Sequence, residues 1–350
     1  MPATSFADRD DLRASTRAFL TDTYPPLSAE SRVGNREAVT QPFWNRMAVQ
    51  AQLQGLMVPE EFDGQGLGMT EAVIVAEEAG RVLLDQPLVS SALLATSAVL
   101  GSGGSPLFKG LARGEIIAAL VIAEEIEPTQ TNGDWRISGM VEPIIDGMLA
   151  THFVVVSTHG VFVVDRESVD RVALSGLDVT RSLAQLTFDR APADLIAEPQ
   201  VGLMVDVAAV FASAELVGIA DAALTLALDH AKRREQFGTV IGSFQAIKHL
   251  CADMFTAVES SRAAVTAAAI AADDHSPQLP ELASVAKAYC SEQCPRVVES
   301  LIQILGGVGF TWEHPAHLLL RRAKTLEILF GDPEWHRQRL ASVLQLGSSS

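Results

Sequence analysis

Cysteine is scarce here: Cys251, Cys290 and Cys294 are the only three in 350 residues. Three thiols cannot build a disulfide framework, and the shortage points to a reducing, cytoplasmic setting. Cys290 and Cys294 are one helical turn apart, a spacing that suits a metal. No further Cys or His stands at ligand spacing, so no metal is expected and two small buried side chains are. Positive charge is also short. Lys and Arg number 26 against 43 Asp and Glu, for a net charge of −17. Nucleic acid and anionic membranes need clustered basic residues, so neither is an expected partner. Long hydrophobic runs are missing too. The polar N-terminus MPATSFADRDDLRAST has no apolar core of signal-peptide length, and no later stretch is expected to cross a bilayer. There is no internal repeat, and only the terminal GSSS is of low complexity.

What is present is enough for a large core. A chain of this length that is 48% hydrophobic is expected to fold as two or three domains. RDDLRASTRAFLTDTY and EAVIVAEEAGRVLLD carry apolar residues at three- and four-residue spacing, the helical period. Between them PEEFDGQGLG (59–68) reads as a loop, broken by Pro and Gly, with its acidic residues on a solvated face. The texture changes near Ile116. IIAALVIAEE, DWRISGMVEPII, THFVVVSTHGVFVVDR and LAQLTFDRA are short β-branched or aromatic runs, the pattern of an antiparallel sheet. TNGDW (131–135) and THGVF (158–162) read as hairpin turns.

From about Gly202 the pattern is helical again. VAAVFASAELVGIADAALTLALDHAKRR ends on basic residues, as the helix dipole prefers. FQAIKHLCADMFTAVESSRAAVTAAAIAADD and PELASVAKAYCSEQCPRVVESLIQIL follow, the latter with Pro295 expected to kink it. HPAHLLLRRAKTLEILF is the fourth. Four long helices with apolar stripes pack as a bundle. The expected fold is α+β: an N-terminal helical domain (1–115), a middle antiparallel β domain (116–199) and a C-terminal four-helix bundle (200–350).

Two stretches of the bundle carry chemistry. In RREQFGTVIGSFQAIKH (233–249), an Arg pair ends one helix and a Gly-containing turn follows, with Ser243 expected to cap the next helix. Arg at such a place can grip a pyrophosphate bidentately. Gln236 and Gln245 add amide donors, and Phe237 a flat apolar face. In QILGGVGF (303–310), Gly306, Gly307 and Gly309 allow close backbone approach or positive φ. That stretch follows a helix, so it is not the strand-to-helix dinucleotide fingerprint and also reads as a glycine helix cap.

Together these motifs resemble the acyl-CoA dehydrogenase family over nearly the whole chain. The likeness runs through QGLMVPEEFDGQGLGMTEAVIVAEEAGRVL (53–83), KRREQFGTVIGSFQAIKHLCADM (232–254) and QILGGVGFTWEHPAHLLLRRAK (303–324). The resemblance implies FAD as cofactor, an acyl-CoA thioester as substrate and the trans-2-enoyl-CoA as product. It implies tetramers built from dimers, in which each FAD lies across two subunits. A carboxylate takes the α-proton while the β-hydrogen leaves as hydride to the flavin. By the same resemblance Arg234, Gln236, Phe237, Gln245, Gln303, Gly306 and Gly307 match the residues that reach the FAD of the neighbouring subunit.

The half that would cradle the chain's own flavin departs from the family pattern. The Thr/Ser- and Gly-rich stretch is replaced by IAEEIEPTQTNG, with Glu124 and Glu125. The Trp-Ile-Thr/Ser stretch falls on EPIID (142–146), with Pro143 at the Trp position and Ile145 at the hydroxyl position. The usual base position is Phe330, and the alternative one is Ala208, followed by Ala209. Asp206 is the nearest substitute base. Glu215, farther along the same helix, is expected to face elsewhere and to be a paired structural carboxylate. Glu327 and Asp332 flank Phe330, and Asp332, before Pro333, is expected to be a local cap.

These losses resemble those of the base-lacking subunit of actinobacterial heteromeric acyl-CoA dehydrogenases, some of them sterol-degrading. On that resemblance the chain is a non-catalytic partner completing the FAD site of a paralogous sister chain in a heterotetramer. Two rivals stand beside this reading. One is a self-sufficient homo-oligomeric dehydrogenase with a displaced base, and the other is a flavin-free scaffold or binding protein.

Overall fold

Helical spacing in the first third does produce helices, and their packing shows why. The structure, a computed structural model, describes residues 6–24, 39–123 and 126–344. Helices α1 (Phe6–Thr23), α2 (Gln41–Arg46), α3 (Met69–Arg81), α4 (Leu88–Leu100) and α5 (Leu107–Ala112) form the N-terminal layer. Arg13 and Arg17 of α1 pair with Glu77 and Glu78 of α3, both of which are buried. Helix α3 receives its cap from far along the chain. The Asp273 carboxylate accepts from Met69 N at 2.6 Å and Thr70 N at 2.9 Å, satisfying N–H groups that a helix leaves open.

The β-branched runs form one seven-stranded sheet. Its strands are β1 (Ala118–Ile122), β2 (Glu127–Thr131), β3 (Asp134–Ile145), β4 (His152–Ser157), β5 (Gly160–Asp165), β6 (Val169–Leu174) and β7 (Leu183–Ala197). The order is β1-β4-β5-β7-β3-β2, with β6 also on β7. Both expected hairpin turns are present, joining β2 to β3 and β4 to β5. Asn132 and Gly133 have φ of 55° and 94°, the two positive values a two-residue hairpin requires. The sheet is not wholly antiparallel: β1 and β4 run parallel from Ala118↔His152 to Ile122↔Val156. The β2–β3 hairpin intervenes in sequence and pairs at the other side of the sheet, supplying the crossover a parallel pair needs.

The C-terminal helices are α6 (Val201–Arg233), α7 (Gln245–Asp273), α8 (Leu279–Leu305) and α9 (Ala316–Ile328), and a short fifth, α10 (Pro333–Val343), follows them. Helix α6 corrects the expectation about apolar length. It is 33 residues long and contains an 18-residue stretch of mean hydropathy 1.9, so it could span a bilayer by length and composition, yet 89% of that stretch is buried inside the protein. It is the central helix of the core. Helix α3 crosses it at a glycine pair. A Cβ on Gly218 would lie 1.9 Å from the Glu77 carbonyl, and one on Gly80 would lie 2.3 Å from that of Glu215. Pro295 lies inside α8, which continues through it. Ser243 does not cap α7. Phe244 holds the N-cap position, and the Ser243 hydroxyl donates to the Val240 carbonyl. Asp332 does cap α10, accepting from Trp335 N at 2.7 Å. Cys290 and Cys294 are buried in α8, facing Ser261 of α7.

A buried charge network pins the sheet to the bundle. Arg322 of α9 is fully buried. It binds the Asp178 carboxylate, the Thr180 hydroxyl at 2.7 Å, the Thr180 carbonyl at 3.0 Å and Glu215 of α6 at 3.4 Å. Arg181 also bonds Glu215. Glu215 is therefore the paired structural carboxylate expected of it.

Candidate functional site

The residues matched to a neighbour's cofactor all lie on the surface. Arg234, Gln236, Phe237, Gln245, Gln303, Gly306 and Gly307 are each exposed. Arg234 follows α6 and enters a small hairpin, Glu235–Gln236 paired with Thr239–Val240. Its two loop residues, Phe237 and Gly238, have φ of 56° and 79°. A phenylalanine in the left-handed region is strained, and here the ring is 94% exposed. The ring stands edge-on to Phe244, with 6.2 Å between centroids. The side chains of Arg234, Gln245 and Gln303 have no hydrogen bond or ion pair among the described residues. Gln236 donates only to the neighbouring Glu235 carbonyl, at 2.7 Å. At the end of α8, Gly306 takes φ 64°, and a Cβ on Gly306 or Gly307 would meet nothing within 4 Å. A guanidinium, amide donors, a bare glycine backbone and an aromatic face are all free to meet a ligand brought from outside. These residues fit the ADP half of an FAD.

The chain's own cleft is different. Ser90 and Leu94 of α4, Leu120 and Ile122 of β1, Val141 to Ile145 of β3, and Leu329 and Phe330 after α9 line a cavity of about 200 Å³. That is below the roughly 300–1,000 Å³ of ordinary small-molecule sites. The lining is mostly apolar. Its one hydroxyl, Ser90, donates to Asp146 at 2.6 Å. Pro143 offers no N–H and stands where the β3–β7 register shifts, between Val141 and Ile144. Ile145 presents hydrocarbon. A flavin ring needs donors at its polar edge, and among the described residues no free side-chain donor lines this cleft, so those residues do not fit one. Glu124 and Glu125, also expected to disturb this half, lie outside the described residues.

None of the expected carboxylates serves the cleft. Phe330 lines it and cannot take a proton. Ala208 is buried hydrocarbon. Asp206 does not line it: Asp206 is buried and ion-paired with Arg339 of α10. Burial raises its pKa, while Arg339 pulls the other way. The choice of Asp206 as a substitute base is thus corrected, because residue counting could not reveal Arg339. Glu327 pairs with Lys324 at 2.9 Å and does not line the cleft either. Sequence reasoning missed Glu142, the one carboxylate among the described lining residues. It is exposed and accepts from Gln185 at 2.8 Å. Its only sequence signal was its place beside Pro143.

Asp146 lies behind the cleft, buried under Ser90. Burial raises its carboxyl to about 6, against the pull of Arg181. The folded-state pKa lies above the unfolded one, so the stabilisation from protonation is present below pH 3.8 and lost as pH rises through about 6. By that shift the ionised form costs about 3 kcal/mol at most. Asp146→Asn should therefore raise stability by about 1–3 kcal/mol at pH 7.5 and by little near pH 4. Urea unfolding at the two pH values measures the difference. His336 acts in the opposite sense. Burial lowers it to about 4, so its contribution is lost as pH falls from 6.5 through that value, and comparing variant with parent cancels it.

Comparison with known proteins agrees with this architecture. Residues 7–110 match the family model for the acyl-CoA dehydrogenase N-terminal domain, and residues 204–345 that for the acyl-CoA dehydrogenase C-terminal domain. The acyl-CoA dehydrogenase IpdE2 of Mycobacterium tuberculosis is 31% identical over 337 residues, covering 96% of each chain. Among solved structures, a variant of the Tcur3481–Tcur3483 steroid ACAD superposes with TM-score 0.89 at 25% identity, over 98% of this chain and 99% of that one. The ChsE4–ChsE5 complex of Mycobacterium tuberculosis gives TM-score 0.88 at 22% identity over 100% of both chains. Fold and comparisons together define an FAD-dependent oxidoreductase class. The chain belongs to the acyl-CoA dehydrogenase family.

Proposed function

We propose that this chain is the supporting subunit of a heteromeric acyl-CoA dehydrogenase that converts an acyl-CoA thioester to the 2-enoyl-CoA. One observation carries the reading. The residues suited to a neighbour's FAD are present, exposed and open to a ligand, whereas the chain's own cleft lacks free donors and a carboxylate at either family base position. Arg234 would pair with the pyrophosphate of an FAD seated in a sister chain. Gln245 and Gln303 would donate to it, Gly306 and Gly307 would let it approach, and Phe237 would cover an apolar face. When bound there, FAD supplies the hydride acceptor. Proton removal falls to the sister chain's carboxylate.

Two similar proteins support a mixed assembly. The solved steroid ACAD carries two component names, Tcur3481 and Tcur3483, and ChsE4–ChsE5 is described as a complex. By analogy with the first, the substrate is the thioester of a sterol-derived side chain. A pure scaffold is disfavoured, since it has no use for an exposed Arg, Gln and Gly set.

The test is the visible spectrum of the chain purified alone and with its sister chain, with FAD counted after denaturation. A colourless chain that acquires one FAD per pair on co-purification is the expected result. Near-stoichiometric FAD on the chain alone would overturn the proposal and favour a self-sufficient enzyme. Glu142, which lines the cleft, would then be the carboxylate to replace by Gln, ahead of Asp206.

A further inference from the structure

The turn that carries Phe330 is held more firmly than a surface turn requires. Phe330 has φ 61° and Gly331 φ 96°, so two consecutive residues are left-handed. Lys287 of α8 is fully buried, and no carboxylate among the described residues accepts a hydrogen bond from it. Its ammonium instead donates to the Ser291 hydroxyl at 2.9 Å, the Glu327 carbonyl at 3.1 Å and the Gly331 carbonyl at 2.8 Å. Its three protons have three acceptors, and two of these are backbone carbonyls at the end of α9. Burying an ammonium is costly unless it is hydrogen-bonded in full. The carbonyl between them is held as well. His336 of α10, also fully buried, donates from Nε2 to the Phe330 carbonyl at 3.0 Å. The fit is close: a Cβ on Gly331 would come within 2.7 Å of Trp335 and 2.8 Å of His336.

We infer that Lys287, with His336, is a positioning residue that locks the Leu329–Gly331 turn and so holds Phe330 in the cleft as a fixed plug against planar ligands. The lock acts on the backbone, so the turn cannot carry Phe330 away from the cleft without breaking bonds to two other helices. This goes beyond the subunit assignment. The closure belongs to this chain whether or not a sister chain carries FAD.

The test is a double-mutant cycle read by labelling inside the cleft. Ile122→Cys is placed in the full chain in a Cys251→Ser background. It is labelled with iodoacetamide, which is small, and with monobromobimane, which is planar and bulky. The ratio of the two rates reports cleft width, because global unfolding accelerates both. Phe330→Ala should raise the bimane-to-iodoacetamide ratio by about tenfold, and so should Lys287→Met, since a lost buried hydrogen-bond partner shifts a local opening by about that factor. In the Phe330→Ala background Lys287→Met should add almost nothing, because the plug it positions is already gone. Two results would overturn the inference: an unchanged ratio in Lys287→Met, or the same multiplicative gain with and without Phe330. Should Lys287→Met fail to fold, His336→Leu takes its place in the same cycle, with the same two outcomes.

Discussion

Arg234→Met should strip FAD from the co-purified pair. An Arg–phosphate pair held bidentately contributes about 1.5–3 kcal/mol, so FAD affinity should fall by about 10- to 100-fold. Bound FAD per pair after dialysis, followed by titration with FAD, measures the loss. The pair should stay assembled on size exclusion, because Arg234 has no hydrogen bond or ion pair of its own within the described chain and its removal breaks none. Arg234→Lys should recover only part of the affinity, since an ammonium is a point charge without the guanidinium fork. Full FAD retention in Arg234→Met would mean that this surface does not hold a neighbour's cofactor. It would not touch the inference about Lys287, which rests on bonds near the start of α8 that Arg234 does not share.

Arg322→Met should destabilise the fold by about 3–5 kcal/mol, because a buried pair that loses one partner leaves uncompensated charge. Here two carboxylates are involved, Asp178 and Glu215, both buried, and Thr180 loses two bonds besides. Chemical denaturation at neutral pH gives the magnitude. Adding Glu215→Gln should recover part of the loss by removing one orphaned charge, although Arg181 then gives up its partner. The network joins α6, α9 and the segment leading into β7. Limited proteolysis of Arg322→Met should therefore cut first around residues 174–182. A variant as stable as the parent would show that the network sets the geometry and adds no stability.

Several features were legible in the sequence for definite reasons. Helical and strand periodicities reflect which face must be buried, so α1, α3, the sheet and the long bundle helices could be located from apolar spacing. Asn132-Gly133 marked its hairpin because few other pairs adopt two consecutive positive φ values. Asp332 before Pro333 marked a helix start. These are local rules, and local residues carry them.

Other features depended on groups far apart in sequence. Asp206 looked available as a base until Arg339, 133 residues later, was found against it. The cap of α3 comes from Asp273, more than 200 residues away. Ser243 had the right chemistry for a cap, but the chain turns so that its hydroxyl meets Val240 instead. Helix α6 has the composition of a membrane span, and only its neighbours make it a core helix.

The sequence by itself determined the order of helices, sheet and bundle, and its family resemblance located the Arg234-to-Gly307 motifs and the non-acidic residues at the two family base positions, 208 and 330. The order follows from residue identity and short-range spacing. Tertiary structure alone decided that the remaining cleft is small and mostly apolar, that Glu142 reaches it, and that Lys287 and His336 hold Phe330 in place. A buried ammonium chooses its acceptors by three-dimensional proximity, and nothing in the local pattern around Lys287 shows that its two carbonyl acceptors lie 40 and 44 residues on.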